Sequence, residues 1–332
     1  MADNGNSSAR VLSVGPQGVE PGRAREAVRA LYARPGLMVR DLTAPLLVQP
    51  NDRHGGDLPG VVSLERVGPT VRRLAGLGIR GVKVFAYGTP RDASASGATV
   101  TRNLMCRAVE EIKTAAPEVV VTTEVCGCSW TDHGECAILD ARGRIDTSAT
   151  YDLMGRMAVV HALAGADVAS PTAMLAGSVR AVRSALDDAG MPDVGVCPNI
   201  AIHTALYGPF KKIMGTNPGR GHRRGLQLEP GRADRDAIMQ ADRWLAEGAD
   251  SLTVQPVLTC TDVLVRLRDH TRVPLVAYST SGEYAALAGL GDAAVVEYHA
   301  GLKRAGADLI LSFAAEQVAR ALTTDPTPEG DI

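Results

Sequence analysis

A regular alternation of two kinds of segment constrains the fold of this chain more than any other feature of its sequence. Short runs rich in β-branched residues are followed by amphipathic stretches of about ten to fifteen residues, which is typical of βα units in a parallel sheet. Strands are predicted at Leu46–Gln49, Gly81–Phe85, Val119–Glu124, Ala166–Ala169, Val194–Cys197, Ser251–Gln255, Leu275–Tyr278 and Leu309–Phe313. The helices between them are predicted to begin near Leu64, Thr99, Ala149, Ser178, Asp234, Thr261 and Asp292.

Three of these strands are introduced by the same tripeptide, Gly-Ala-Asp, at 165–167, 248–250 and 306–308. Glycine suits the end of a helix, so each tripeptide indicates a helix end followed by entry into a strand. The repeated βα unit predicts an α/β protein of the (β/α)8, or TIM barrel, type. The alternative is a doubly wound open sheet. No G-x-G-x-x-G follows the first strand and the chain has no P-loop motif, which favours the barrel.

The chain divides into four predicted segments. Residues 1–22 are rich in Gly, Ser, Asn and Pro and are expected to form a disordered tail. Residues 23–45 are predicted to be an extended N-terminal arm, residues 46–322 the barrel, and residues 323–332 a second disordered tail.

Composition excludes several classes of partner. The 35 Lys and Arg residues nearly balance 37 Asp and Glu residues, and aromatic residues make up only 4%, so nucleic-acid binding has little support. No run approaches the roughly 18 apolar residues of a membrane span, and the polar N-terminus does not read as a secretory signal. We therefore expect a cytoplasmic protein without a membrane partner, whose six cysteines are thiols or metal ligands rather than disulfides.

A cysteine-rich segment follows the third predicted strand, at the edge where barrel enzymes carry their active sites. Glu124 is followed by Cys126, Cys128 and Cys136, in a C-x-C-x7-C spacing. Three thiol ligands leave a tetrahedral Zn²⁺ one open position for water or substrate, so this segment predicts a catalytic zinc site. The alternative is a set of buried structural cysteines in a glycine-rich loop. A second long segment, residues 208–232, holds six Lys or Arg residues and is interpreted as a mobile lid that binds an anion.

Around these segments the sequence resembles the porphobilinogen synthase family, also called 5-aminolevulinate dehydratase, from about residue 25 to 322. The matching phrases, in order, are Met38-Val-Arg-Asp41, the cysteine segment 124–136, Ala205-Leu-Tyr-Gly-Pro-Phe210, Arg223 with Gln227, Ala277-Tyr-Ser-Thr-Ser-Gly-Glu-Tyr284 and Lys303-Arg-Ala-Gly-Ala-Asp308.

The resemblance implies a (β/α)8 barrel that condenses two 5-aminolevulinate molecules into a pyrrole, usually in an oligomer built through N-terminal arms. It implies zinc held by the three cysteines, and two lysines that form Schiff bases with the substrate ketones. It also implies substrate-binding roles for Phe85 and Thr172 on the cavity wall. Lys211, Arg223 and Gln227 would hold one substrate carboxylate, and Ser281 and Tyr284 the other. For Ser281, capping of a helix is the alternative.

This chain departs from the family where the covalent chemistry is expected. The two lysine positions are occupied by Ala201 and Gln255, and neither side chain can form an imine. The family's Ser-Asp-Met-Met-Asp-Gly-Arg reads Thr172-Ala-Met-Leu-Ala-Gly-Ser178, an Asp becomes Glu124, a Tyr becomes Phe313, and an Arg becomes Lys211.

The remaining candidates for catalytic groups are Glu124, His203, Lys83 and Gln255. Lys83 alternates with Phe85 along its strand, so it is predicted to point into the barrel, where it is either a relocated amine nucleophile or a structural lysine paired with an acid such as Glu124. A third possibility is that it faces the helices. His203 is either an acid–base group or a satisfied polar residue of its loop.

These observations predict a zinc-dependent lyase or condensing enzyme with altered chemistry. Its substrate is expected to be a small carboxylate, an amino or keto acid related to 5-aminolevulinate, and its assembly a homo-oligomer between a dimer and an octamer. The apolar residues Leu31, Tyr32 and Leu37 lie outside the barrel pattern and support an arm that associates. The alternative function is a catalytically inactive homologue that binds a ligand or regulates by co-assembly.

Overall fold

The computed structural model describes residues 26–32, 36–51, 58–216 and 225–324. The strands are β1 (Leu42–Gln49), β2 (Val61–Ser63), β3 (Gly81–Ala86), β4 (Val120–Val125), β5 (Val168–Pro171), β6 (Gly195–Val196), β7 (Asn199–Ala201), β8 (Leu252–Gln255), β9 (Leu275–Ser279) and β10 (Leu309–Ser312). The α-helices are α1 (Glu26–Tyr32), α2 (Val67–Gly76), α3 (Leu104–Ala115), α4 (Thr147–Leu163), α5 (Ser178–Asp188), α6 (Gly208–Met214), α7 (Ala233–Ala246), α8 (Thr261–His270), α9 (Ser281–Leu287), α10 (Asp292–Arg304) and α11 (Ala315–Thr324).

The short strands β6 and β7 together occupy one strand position, and the parallel sheet closes into a barrel at this position. The strand order is β6-β5-β4-β3-β1-β10-β9-β8-β7, and the short β2 pairs with β1 outside this path. Between β6 and β7 lie only Cys197 and Pro198, and proline has no N–H for the ladder. The Cys197 amide still donates to Ala169 of β5 at 2.9 Å, and Thr253 of β8 donates to the Pro198 carbonyl at 2.9 Å. The predicted TIM barrel is confirmed, and the open doubly wound sheet is wrong.

The three Gly-Ala-Asp tripeptides each end a helix and fasten the next strand to its neighbour. Their glycines have positive φ angles between 102° and 113°, a conformation that favours glycine at the C-terminal end of a helix. The carboxylates of Asp167, Asp250 and Asp308 accept hydrogen bonds from backbone amides of the adjacent strand positions, at 2.7, 2.7 and 2.8 Å. The repeat therefore has a structural function at the N-terminal edge of the barrel, opposite the edge that carries the cysteines.

Two predicted boundaries differ from the structure by four residues or more. The first strand begins at Leu42, four residues before its predicted start at Leu46, because its whole length is buried rather than alternating. The third helix begins at Leu104 and not near Thr99. Asn103 caps it, with its side-chain oxygen accepting from the Cys106 amide at 2.9 Å, while Ser96–Thr99 forms a separate 3-10 turn.

The N-terminal region is divided at Leu37, where one unit of the chain ends and the barrel unit begins. In the first unit the structure describes α1, whose Leu31 side chain is 75% exposed. The predicted tail at 1–22 lies outside the described residues, and the arm at 23–45 is described only in part. Of the second predicted tail, 323–332, the structure describes Thr323 and Thr324, which are not disordered but form the end of α11. None of the helices that the structure describes has the length and apolar character needed to cross a bilayer.

The barrel core extends up to the edge where the cysteines lie. An apolar cluster at this end of the barrel is formed by Leu47, Leu58, Phe85, Tyr87, Met214, Tyr278, Leu311 and Phe313. A fully buried side chain of this size contributes about 1.5–3 kcal/mol to stability. This cluster therefore stabilises the end of the barrel at which the cysteines lie.

Candidate active site

A cavity of about 680 Å³, partly open to solvent, lies at the C-terminal ends of the barrel strands. Ten residues predicted for the site line it: Phe85, Glu124, Cys126, Cys128, Cys136, Thr172, Lys211, Gln227, Gln255 and Ser281. The cavity thus combines thiols, a carboxylate, amides and a cationic side chain around a small volume.

The three cysteine thiols form a buried cluster on one wall of the cavity. Their sulfur atoms all lie within 4.8 Å of one another, and the sulfurs of Cys126 and Cys128 are 3.3 Å apart. Hydrogen bonds with Cys128 and Cys136, together with burial, raise the pKa of the Cys126 thiol well above its ordinary value. Three thiolates at this spacing repel one another, so a divalent cation is required to hold the cluster in its deprotonated form. The donor set and its spacing fit a thiolate-bound metal ion.

Glycine allows the cysteine loop to fold back on itself. Gly127 lies in a 3-10 turn, and its amide donates to the Cys136 carbonyl at 3.2 Å. A Cβ atom at position 127 would meet that same carbonyl oxygen at 3.0 Å, so a larger residue would push the two parts of the loop apart. Gly134, later in the same loop, has a positive φ of 69°, a backbone conformation that favours glycine.

Glu124 lies at the foot of the same wall, near the end of β4. Its side chain is 6% exposed, and its Oε2 accepts a hydrogen bond from the Ser129 hydroxyl at 3.2 Å. A buried carboxylate facing the cavity beside the thiols can take up or release a proton next to a bound ligand.

Another part of the cavity wall carries the two positions where the resemblance implies lysines. Ala201 ends β7 and Gln255 ends β8, and both line the cavity. The two residues are paired in register, so they stand side by side at the cavity floor. Asn199 also lines the cavity, and its Nδ2 donates to Gln255 Oε1 at 3.1 Å. This wall offers amides and a methyl group, and none of these is a nucleophile.

Lys83 lies inside the barrel, beneath the residues that line the cavity. Its ammonium donates to Ser170 Oγ at 2.7 Å and to Asn199 Oδ1 at 2.9 Å, and only 2% of the residue is exposed. Burial lowers the pKa of Lys83 to about 8, although the nearby Cys197 and Glu124 favour its charged form. The inward direction predicted from strand alternation is confirmed, and the alternative that Lys83 faces the helices is wrong.

The segment after β7 covers the cavity from one side. Phe210 of α6 packs edge-to-face on Phe85, with ring centroids 5.0 Å apart, and the Lys211 ammonium lies 4.5 Å from the Tyr207 ring centroid. The Arg91 guanidinium donates to the carbonyls of Met214 and Gly215 at the end of α6. These contacts place a cation and two aromatic rings at the cavity mouth.

Of the other residues predicted for the site, one lies outside the described chain and two do not line the cavity. Arg223 belongs to the residues that the structure does not describe. His203 is exposed, and its Nδ1 lies 3.1 Å from Gln227 Oε1, so it contacts a residue of the wall without lining the cavity itself. Tyr284 packs on the apolar cluster that contains Phe85 and Tyr278. His203 was considered because it follows Ala201 by two residues and Tyr284 because of the resemblance, and neither argument reveals the direction of a side chain.

Ser281 reaches the cavity but does not cap a helix. Thr280 is the N-cap of α9 and forms a capping box with Glu283. The Ser281 hydroxyl donates to the Tyr207 carbonyl at 2.7 Å and accepts from the Phe210 amide at 3.0 Å. It therefore fastens the start of α6 to α9 at the edge of the cavity.

Several residues of the cavity wall were not predicted as site residues. They are Asn199, Tyr207, Phe210, Thr216, Leu226, Tyr278 and Thr280. Alternation along β7 would have indicated Asn199, because it lies two residues before Ala201 and shares its face. Burial raises the pKa of the Tyr278 hydroxyl well above its ordinary value, so this group remains a neutral hydrogen-bonding partner.

Comparisons with known proteins agree with this geometry. A sequence profile described as "Delta-aminolevulinic acid dehydratase" matches residues 19–321. The protein of that name from Escherichia coli is 36% identical over 310 residues, covering 90% of this chain and 95% of that protein. Its namesake from Synechococcus elongatus is 35% identical over 316 residues, covering 90% and 97%.

A solved structure is similar over almost the same span. The porphobilinogen synthase of Toxoplasma gondii, determined in complex with its reaction product porphobilinogen, superposes with a TM-score of 0.87 at 28% identity and covers 96% of both chains. The sequence profile and the identity to named relatives over nine-tenths of the chain establish that this protein belongs to the delta-aminolevulinic acid dehydratase family.

Proposed function

We propose that this protein is a zinc-dependent lyase or condensing enzyme of the family that acts on a small amino or keto acid related to 5-aminolevulinate, without forming imines at the two expected positions. The observation that carries the proposal is the pairing of two walls in one cavity. A thiol cluster suited to a metal lines the same cavity as Ala201 and Gln255, which cannot act as amine nucleophiles.

Zinc is the metal we propose for the thiol cluster. Cys126, Cys128 and Cys136 would hold it, because three soft thiolates at this spacing suit Zn²⁺ and exclude the oxygen-preferring Mg²⁺ and Ca²⁺. A zinc ion with an open fourth position polarises a carbonyl or lowers the pKa of a water molecule.

The small-carboxylate class of substrate is supported by the polar groups around the mouth of the cavity. Lys211 and Gln227 line the cavity, so they are placed to bind a carboxylate by charge and by amide N–H. Phe85, Phe210 and Tyr278 supply apolar surface for a short carbon chain. Glu124 is the group we assign to proton transfer, since it is the carboxylate on the cavity wall nearest in sequence to the thiols.

The experiment that tests the absent imines is reduction with borohydride in the presence of 5-aminolevulinate, followed by mass spectrometry of the intact protein and its peptides. We expect no covalent adduct and no porphobilinogen, while the E. coli relative under the same conditions serves as the positive control. A stoichiometric adduct at Lys83 together with pyrrole production would overturn the proposal, because it would show that the nucleophile has moved to β3.

A second measurement separates an enzyme from an inactive homologue. Product formation should be screened with candidate amino and keto acids on the zinc-loaded protein. Turnover that is abolished by Cys128→Ala supports the enzyme, whereas ligand-dependent thermal stabilisation with no turnover of any acid supports a binding or regulatory protein.

We further propose a cytoplasmic homo-oligomer, between a dimer and an octamer, that associates through residues 23–45. The exposed Leu31 of α1 and the partly exposed Met38 supply apolar surface near this segment. All six cysteines are free thiols, as expected in a reducing compartment. Light scattering at micromolar concentration should give more than one chain per particle, and a monomer would contradict the association.

A further inference from the structure

A buried chain of polar side chains connects the barrel interior to the cavity wall. It begins at Lys83 on β3, continues through Asn199 on β7, and ends at Gln255 on β8. An ammonium group has three donors and no acceptor, so every group that it contacts must present an acceptor. Its two partners are Ser170 Oγ and Asn199 Oδ1.

This requirement fixes the direction of the Asn199 amide. Its oxygen must face Lys83, and therefore its NH₂ group must face Gln255. The Ser170 hydroxyl does not disturb this arrangement, because it donates to the Cys197 carbonyl at 2.6 Å while it accepts from Lys83. Asn199 is only 1% exposed, so water does not offer it an alternative set of partners.

The orientation of the Asn199 amide in turn fixes the orientation of the Gln255 amide. Its Oε1 accepts from Asn199 Nδ2, which leaves Nε2 with its two N–H groups at the end of the chain. In the part of the chain that the structure describes, no group accepts a hydrogen bond from Gln255 Nε2, and the residue lines the cavity. The polarity of this wall is thus set by a charge that lies outside the cavity.

We propose that Gln255 acts as an oriented hydrogen-bond donor to a carbonyl or carboxylate oxygen of the substrate, and that Lys83 and Asn199 are positioning residues that hold this orientation. This inference rests on the proposed function and deepens it. An oriented N–H donor in a partly enclosed site stabilises negative charge that develops on a carbonyl oxygen. It also selects against a substrate group that can only donate a hydrogen bond.

The test uses an isosteric change at Asn199 to exchange the hydrogen-bond donor that Gln255 presents to the cavity for an acceptor. In Asn199→Asp the new carboxylate still accepts from Lys83, but it offers only an acceptor to Gln255, so the Gln255 amide turns and presents Oε1 to the cavity. The probes are 4-oxopentanoate, whose ketone can only accept, and 4-hydroxypentanoate, whose hydroxyl can donate as well. Affinities are measured by calorimetric titration at neutral pH, where Lys83 with a pKa of about 8 is mostly charged.

For the wild-type protein we expect the ketone to bind at least as well as the alcohol. In Asn199→Asp the ratio of the two affinities should fall by at least about tenfold, because the ketone meets an acceptor while the alcohol turns its hydroxyl to donate. A purely structural role would weaken both probes equally. Lys83→Met should lower the ratio in the same direction, since the Asn199 amide is then free to turn.

A control is Lys113→Met, which removes a second lysine. Lys113 is partly buried, and its ammonium binds Asp167 and the Val119 carbonyl away from the cavity. This control should leave the ratio unchanged. Circular dichroism of each variant checks the fold. If Lys83→Met does not fold, Gln255→Leu on the cavity wall takes its place in the test and should remove the ketone preference. An unchanged ratio in a folded Asn199→Asp protein would overturn the inference alone. Failure of the wild-type protein to bind either probe would overturn the proposed function as well.

Discussion

Two walls of the same cavity are built in different ways. The thiol wall, formed by Cys126, Cys128 and Cys136, belongs to a loop that follows β4. The amide wall, formed by Asn199, Ala201 and Gln255, belongs to the strands β7 and β8 themselves. A loop can change its residues with little effect on its neighbours, whereas a strand residue that points into the barrel must be accommodated by the side chains packed around it.

The two walls also differ in how they compare with the family. The thiols of the loop match the three cysteines that the resemblance implies as metal ligands, while the strand-borne wall has Ala201 and Gln255 where the resemblance implies lysines. On the amide wall the neighbouring interior side chains are also polar, since Lys83 and Ser170 bind Asn199. Under the proposed function, this polar interior would fix the hydrogen-bond directions that a substrate meets at the amide wall.

The largest effect is expected on the thiol wall. Cys128→Ser should lower the affinity for zinc by more than about 100-fold, because a change outside the ligand shell already costs 10–100-fold and here a ligand sulfur is lost. Equilibrium dialysis followed by elemental analysis measures the affinity, and the wild-type protein should hold about one zinc per chain.

The matched control for this prediction is Cys106→Ser. Cys106 is equally buried, but it lies on α3 and its sulfur donates to the Val160 carbonyl away from the cavity. Zinc affinity should be unaffected by this change. Equal losses in both variants would mean that folding, and not ligation, determines the zinc content.

On the amide wall, restoring amines should restore the covalent bond but not the reaction. Ala201→Lys combined with Gln255→Lys should give borohydride-trapped adducts with 5-aminolevulinate at the new lysines. Porphobilinogen formation should still remain at least about 100-fold below that of the E. coli relative, since Thr172–Ser178 and Glu124 also differ and lost acid–base contributions are worth 10²–10⁴. A rate equal to the relative's would show that the two lysines are the whole difference between the walls.

The thiol wall could be predicted from the sequence more completely than the amide wall, because the two are built differently. The thiol wall is contiguous in sequence, so the spacing of its cysteines was enough to predict that their sulfurs meet. The amide wall is formed by β7 and β8 and supported by Lys83 of β3 and Ser170 of β5, and no local pattern shows that Lys83 reaches Asn199. Alternation gave the direction of Lys83, but its partners depend on the closed barrel.

The same reasoning explains the errors at the edges of elements. Leu42 begins a strand that is buried on both faces, and an uninterrupted apolar run has no alternation to mark its first residue. The helix start at Leu104 depends on a single Asn103 cap, which a periodicity of apolar residues does not reveal. His203 was placed by its nearness to Ala201 in sequence and Tyr284 by the resemblance, and the course of the backbone decides which of these side chains lines the cavity.

A moderate effect is expected at the loop before α6, which continues from β7 of the amide wall. Gly282 lies so close to this loop that a Cβ atom would meet the Leu206 carbonyl oxygen at 2.3 Å. Gly282→Ala should therefore lower the free energy of unfolding by about 1–3 kcal/mol. Urea denaturation measures the loss, and Gly289→Ala, where a Cβ atom meets nothing within 4 Å, is the control that should be close to neutral.

The smallest effect concerns the support behind the thiol wall. His161 of α4 is fully buried, and its Nδ1 lies 3.1 Å from the Thr123 hydroxyl of β4, one residue before Glu124. Burial lowers the pKa of His161 from 6.5 to about 3, so the folded protein keeps the imidazole neutral where the unfolded chain takes up a proton. Stability therefore falls as the pH falls from about 6.5 towards 3.

Between pH 6 and pH 5 this group should cost about 1 kcal/mol of unfolding free energy, because the unfolded chain binds nearly one more proton. His161→Leu leaves Thr123 without this partner at every pH, but it removes the proton, so its stability should depend less steeply on pH than that of the wild-type protein. The difference between the two slopes isolates His161 from His299, whose pKa burial also lowers. Equal pH dependences of the unfolding free energy would contradict this prediction. They would mean that the His161 imidazole is hydrated in the folded protein, so that the packing behind the thiol wall is looser than that behind the amide wall.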